Sequence, residues 1–169
     1  MLNGSVQGKN CTYLVTFGTY HHTMKIFSIL FSTLFLASLT NWGTDMEEAK
    51  KQAKDEHKYI LLNFSGSDWC GPCIRLHKEI FGSDEFKTFA DQRLVLVNAD
   101  FPRLKKNQLS KEQQSKNDKL ADKYNPQGNF PYTVLLNEEG KVVKAWEGYP
   151  NETPAGFTAQ IKSIVDAGH

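Results

Sequence analysis

The chain has 169 residues, of which 40% are hydrophobic and 23% charged, with a formal net charge of +1. That is the composition of one ordinary globular domain, long enough to bury a core. The near-neutral balance argues against nucleic acid or another polyanion as partner, and three cysteines are too few for a small secreted scaffold held by disulfides.

The charges are unevenly spread. Residues 1–44 contain no Asp or Glu. Within them Met24-Lys25 opens an apolar run from Ile26 to Leu39. Its 14 residues are too short for a hydrocarbon core, which takes roughly 20. A basic start, a short apolar stretch and small residues at Ser38 and Thr40 describe a secretory signal peptide over residues 24–40. An uncleaved membrane anchor is the alternative, because no Ala-x-Ala site is present; a buried core helix is the third. Residues 1–23, which include Cys11, read as a non-native or over-extended N-terminus, or a leader, ahead of a natural start at Met24. The domain is then 41–169. Without residues 1–40 only Lys9 and Lys25 are lost among Lys, Arg, Asp and Glu, so the domain stays near neutral, and it keeps Cys70 and Cys73 as its only cysteines.

Along the domain, Thr44-Asp45-Met46-Glu47 has the form of a capping box led by Thr44, opening a polar helix to about His57. Tyr59–Phe64 is a short apolar run bounded by Ser65-Gly66-Ser67, a buried strand by pattern. Cys70–Phe81 carries apolar residues at Ile74, Leu76, Ile80 and Phe81, which predicts an amphipathic helix. Ser83 caps a further helix to about Ala90, and Leu94–Ala99 is a second buried strand. Ser110-Lys111-Glu112-Gln113 is another capping box, opening a helix to about Tyr124 that Asn125-Pro126-Gln127-Gly128 ends. Tyr132–Leu136 and Val142–Trp146 flank the turn residues Asn137–Gly140 as a hairpin. Thr153-Pro154 starts a last helix to about Val165. The order gives an α/β fold: one central mixed β-sheet with helices on both faces.

The chemistry concentrates in Trp69-Cys70-Gly71-Pro72-Cys73. A thiol attacks as its thiolate, and a free cysteine titrates near ~8.5. A helix N-terminus offers unpaired N–H groups and the positive end of the helix dipole, which lower that value for Cys70. Cys70 is therefore the expected exposed nucleophile. Cys73, one turn later and deeper, is the thiol that resolves a mixed disulfide. Gly71 lets a partner chain approach, and Pro72 suits a first helical turn.

This motif after a strand, with Phe130-Pro131-Tyr132 before a later one, resembles the thioredoxin family over about Tyr59–Val165, in particular its exported bacterial members. The resemblance implies a thioredoxin fold and thiol:disulfide exchange through a Cys70/Cys73 redox disulfide. It implies a cis-proline at Pro131, and a substrate groove formed by Trp69, Gly71, Pro72, Phe130 and Pro131. It also implies no organic cofactor, disulfide-bonded protein substrates, a membrane electron donor and a monomer. The glycine-proline pair leans towards a reductant; an oxidase or isomerase of the same fold is the alternative.

Two positions depart from the family pattern. Asn63 stands about where the family keeps a buried carboxylate that handles the resolving thiol's proton, leaving Asp68, Glu79 or water to take that part. Phe130 replaces a smaller residue, which implies a more apolar lip and a narrower partner range. The basic run Phe101–Lys106 reads as a solvated loop rather than a partner site. A copper or zinc site using Cys70, Cys73 and His77 at i, i+3 and i+7 is the rival from another class. It has few ligands, and His77 reads more simply as a surface histidine.

Overall fold

The computed structural model describes residues 41–168 and Gly4. The expectations for residues 1–23 and 24–40 lie outside the described residues, Gly4 apart.

Helix α1 (Met46–Glu56) buries Met46, Ala49 and Ala53, the single stripe of an amphipathic helix. Its cap is Asp45 and not the expected Thr44: Asp45 Oδ1 accepts the N–H groups of Glu47 and Glu48. A carboxylate at that position also meets the positive end of the helix dipole. Strand β2 (Tyr59–Ser65) runs parallel to β3 (Leu94–Asp100) and antiparallel to β4 (Tyr132–Leu136), which pairs antiparallel with β5 (Val142–Glu147). The two-residue β1 (Trp42–Gly43), absent from the sequence reading, lies parallel to β3 on the outer edge, giving the order β1-β3-β2-β4-β5.

Between β2 and β3, helix α2 (Gly71–Arg75) continues as a π turn over Leu76–Ile80, where the Phe81 N–H reaches the Leu76 carbonyl at 3.0 Å. The sequence pattern predicts a plain α-helix here. The wider turn keeps Leu76, Ile80 and Phe81 all buried on the sheet side. Ile74 does not join that stripe; it is 47% exposed beside the dithiol. Helix α3 (Asp84–Arg93) follows under a Ser83 cap. Helix α4 (Lys111–Tyr124) starts at Ser110, whose Oγ accepts the Gln113 N–H. The reciprocal half of that capping box is not made, because the Gln113 side chain reaches the Thr44 carbonyl and Asn117 instead. Helix α5 (Pro154–Ala167) is capped by Thr153.

Strand alternation divides the core into two layers. Ile60, Leu62 and Phe64 of β2 face α1 and α4, with Val95, Val97 and Ala99 of β3. Leu61 faces the other way with Leu94 and Leu96, under Leu76, Ile80, Phe86, Phe157 and Ile161 from α2, α3 and α5. Asn63 shares the parity of Leu61, so the same alternation turns it toward α2. This is the mixed sheet covered on both faces that the element order predicts.

Candidate active site

The turn after β2 is closed by the Gly66 carbonyl, which accepts the N–H groups of Trp69 and Cys70 at 3.3 and 2.9 Å. Gly66 is required by space and not by torsion. A Cβ there would overlap the Trp69 indole, which lies back across the turn. Cys70 then caps α2, its Sγ accepting the Cys73 N–H at 3.3 Å, with Pro72 in the first turn. Cys70 and Cys73 are joined in a disulfide. Cys70 is 5% and Cys73 1% exposed, the expected order, although Cys70 is far less open than the reading of an exposed nucleophile implies. Gly71 and Pro72 are exposed around it, and a Cβ on Gly71 would meet nothing within 4 Å.

Beside the dithiol the Phe130-Pro131 bond is cis. The loop leading to it is clamped by Asn125, whose amide accepts the Asn129 N–H and donates to the Asn129 carbonyl. The Pro131 carbonyl accepts the Gly148 N–H at 2.9 Å. Trp69, Phe101 and Phe130 meet edge-on, each of the pairs Trp69–Phe130 and Phe101–Phe130 with ring centroids 5.5 Å apart. The Trp69 indole N–H donates to the Phe101 carbonyl at 2.7 Å, and the Arg103 guanidinium lies 3.6 Å over the Trp69 ring. These residues line a groove of about 370 Å³.

The Phe101–Lys106 run is therefore more than a solvated loop. Its first residues wall the groove, and Asp68 ties it down by accepting the N–H groups of Arg103 and Leu104 and the Asn107 amide. The motif reading missed Phe101 and Arg103 as site residues. Gly66→Ala should evict the indole and break both the Phe101 bond and the Arg103 stack. A loss of roughly 1–3 kcal/mol is expected, read as a lower urea midpoint at unchanged slope. An unchanged midpoint would mean that Trp69 has a second, equally good seat.

On the other side of α2, strand register aligns Asn98, Asn63 and Thr133 in one row across β3, β2 and β4. Asn63 is fully buried. It accepts from Thr133 Oγ1 at 3.1 Å, donates to Asn98 Oδ1 at 3.1 Å, and has its Nδ2 3.0 Å from His77 Nε2. The Ser65 hydroxyl bridges Asn98 Oδ1 and Asp100 Oδ1, and Ser67 donates to Asp100 from both its backbone and its hydroxyl. His77 is not the surface residue expected. Its ring lies between Trp42 and Phe81, tilted to the first and edge-on to the second, with centroids 5.1 and 5.2 Å away. Burial pushes its pKa below the usual imidazole value, against the pull of the Asn98 side chain and the Asp100 charge. Cys73, His77, Ser65, Ser67, Ile74 and Asn98 line one cleft of about 390 Å³.

Neither carboxylate expected to replace the missing acid is among those residues. Asp68 is held below the usual carboxylate range by the Arg103 and Leu104 N–H groups, and Glu79 by the Tyr149 hydroxyl and Arg75. Both are thereby made weaker bases. Among the described residues no three of His, Cys, Asp and Glu are grouped to hold a metal ion.

Residues 46–163 match the model of the thioredoxin-like domain. The disulfide bond reductase DsbH of Chlamydia pneumoniae is 40% identical over 118 residues, covering 70% of this chain and 69% of that protein. The thioredoxin-related protein DsbJ of Chlamydia pneumoniae is 29% identical over 126 residues, 75% of this chain but 35% of DsbJ. A solved DsbH oxidoreductase superposes with a TM-score of 0.68 at 36% identity, covering 75% of this chain and 84% of that one. The chain belongs to the thioredoxin-like family and is a thiol:disulfide oxidoreductase of that fold.

Proposed function

We propose that this protein reduces disulfides of other proteins outside the cytoplasm. The observation that carries this reading is the Cys70–Cys73 pair at the start of α2, set between an exposed Gly71-Pro72 edge and the aromatic groove. In the reduced protein the Cys70 thiolate attacks a substrate disulfide. One substrate sulfur leaves as thiolate, and the other is held on Cys70. Cys73 then attacks Cys70 Sγ and releases the second substrate thiolate, so two electrons pass to the substrate and the Cys70–Cys73 disulfide forms. The cis Phe130-Pro131 segment and Trp69 hold the substrate chain in extended form against Gly71 and Pro72.

Reduction as the direction rests on the Gly-Pro pair between the cysteines and on similarity to a protein named a disulfide bond reductase. Export rests on the basic-then-apolar pattern of residues 24–40. No helix among the described residues is long and apolar enough to cross a membrane. A reductant in an exported compartment needs its two electrons returned, which assigns a membrane dithiol donor as its second partner.

Insulin-disulfide reduction is the direct test. Wild type is expected to be active and Cys70→Ser to fall to background, while an inactive wild type would sink the reading. The reduction potential decides the direction: a value near thioredoxin's roughly −270 mV supports a reductant, and one between about −180 and −120 mV makes the protein an isomerase or oxidase.

A further inference from the structure

We infer that His77 is the proton acceptor for Cys73, working from the floor of the cleft that the two share and backed by the Asn63–Asn98–Ser65–Asp100 chain. The inference rests on the exchange reading of the dithiol and adds to it the group that activates the resolving thiol.

Three observations carry it. Cys73 and His77 are four residues apart on one helix, and both line the cleft of about 390 Å³, which has room for water and carries Ser65, Ser67 and Asn98 on its wall. Cys73 is 1% exposed, so bulk water is a poor acceptor for its proton. Asn63 Nδ2 stands against His77 Nε2 at 3.0 Å; with the amide donating, Nε2 keeps its lone pair and the ring is neutral, the form able to take a proton.

The chain behind the ring is built to follow that change. Thr133 and Ser65 are hydroxyls, which donate or accept, and Asn63 and Asn98 are amides whose two ends exchange roles on inversion. With both amides inverted, Asn63 Oδ1 accepts from the protonated ring and Thr133 accepts from Asn63. Asn98 then donates to Ser65, which frees the single Ser65 hydroxyl proton for Asp100, whose carboxylate ends the chain. In both arrangements Asn63 meets the ring with the group it needs, a donor for the neutral form and an acceptor for the protonated one.

Of the elements around the ring, β1 contributes only the neutral Trp42 and β2 only neutral groups. The charges are Asp100 from β3, which favours the protonated ring, and Lys78 at the rim of the cleft, which opposes it. In the step itself the Cys73 S–H proton passes to the imidazole, directly or through one water. The Cys73 thiolate forms a bond to Cys70 Sγ, and the Cys70–substrate S–S bond breaks. The departing substrate thiolate takes up the proton as the ring returns to neutral.

An aromatic disulfide that releases a coloured thiolate at each step separates the two reactions in stopped flow. The first release reports attack by Cys70 and depends on substrate concentration; the second reports resolution by Cys73 and does not. In wild type the second phase is expected to rise through the depressed imidazole pKa, below about 6.5, and then level off. In His77→Gln it should slow by ~10²-fold at neutral pH and climb steadily toward the thiol's own titration near ~8.5. In His77→Ala, added imidazole should speed it, and a series of substituted imidazoles should follow their basicity.

A His77→Gln second phase that keeps the wild-type pH profile overturns the assignment, whatever its speed. Absence of the first phase in wild type would instead overturn the exchange reading. Should the variants fail to fold, ring titration by NMR in wild type decides. In the reduced protein the His77 resonances should show a second step belonging to Cys73, absent from the disulfide form. Identical titrations in the two forms would refute the role.

Discussion

Cys73→Ser is expected to convert the protein from a catalyst into a trap. The first exchange survives, because the group that steadies the Cys70 sulfur is the backbone N–H of residue 73, which the substitution leaves in place. The second exchange is lost, since Cys70 and Cys73 are the only cysteines after residue 40 and serine cannot form the S–S bond. A substrate protein should therefore accumulate as a mixed disulfide on Cys70, seen as a shifted band on a non-reducing gel and abolished by added dithiol. Multiple turnover in the insulin assay should fall to background. Cys70→Ser should give neither turnover nor trap: the remaining thiol is 1% exposed and lies under the first turn of α2, where a protein disulfide cannot reach it. A trap that forms equally in both variants would contradict this division of labour.

The two cysteines were readable because their roles depend on local things, a strand end, a helix start and three positions of spacing. The same holds for β2 and β3, whose largely apolar runs match strands buried on both faces, and for the hairpin around Asn137–Gly140. Features set by contacts distant in sequence were not readable. Trp42-Gly43 is too short to carry a period and becomes a strand only because the β3 edge is there to pair with it. His77 looks like a surface residue in helical projection. The π turn and the docking of Trp42 enclose it, and both depend on how α2 lies on the sheet. Asp68 looked free to act as a base, yet three donors from residues 103–107 occupy it.

The basic run from Phe101 illustrates the same limit from the other side. Its charge pattern is that of a solvated loop, and Lys105 and Lys106 are indeed exposed. What the pattern does not carry is that the Phe101 N–H extends the β3 end by donating to the Ser65 carbonyl at 2.8 Å, which brings the aromatic ring to Phe130. A groove wall contributed by a chain segment far from the dithiol in sequence is a tertiary fact.

Asn63→Leu is expected to produce the largest stability loss of any single change near the site that spares the cysteines. Leucine branches in the same way but is bulkier, so no cavity is left and a part of the cost is overpacking. The rest comes from the partners left behind. The Thr133 hydroxyl loses its acceptor and His77 Nε2 its donor, both under α2, while Asn98 Oδ1 keeps Ser65. Two polar groups stranded at ~1–3 kcal/mol each give a loss of roughly 2–6 kcal/mol, a large share of the ~5–15 kcal/mol that holds a domain together. Urea unfolding of the oxidised protein measures it. A loss below about 1 kcal/mol would mean that the row relaxes into apolar packing without penalty, as some buried polar clusters do. Because β2 is otherwise filled with Ile, Leu and Phe, an apolar residue at 63 would fit the local pattern of the strand. An amide at that position makes sense only through what stands above it, the ring of His77 and, in the same cleft, the resolving sulfur.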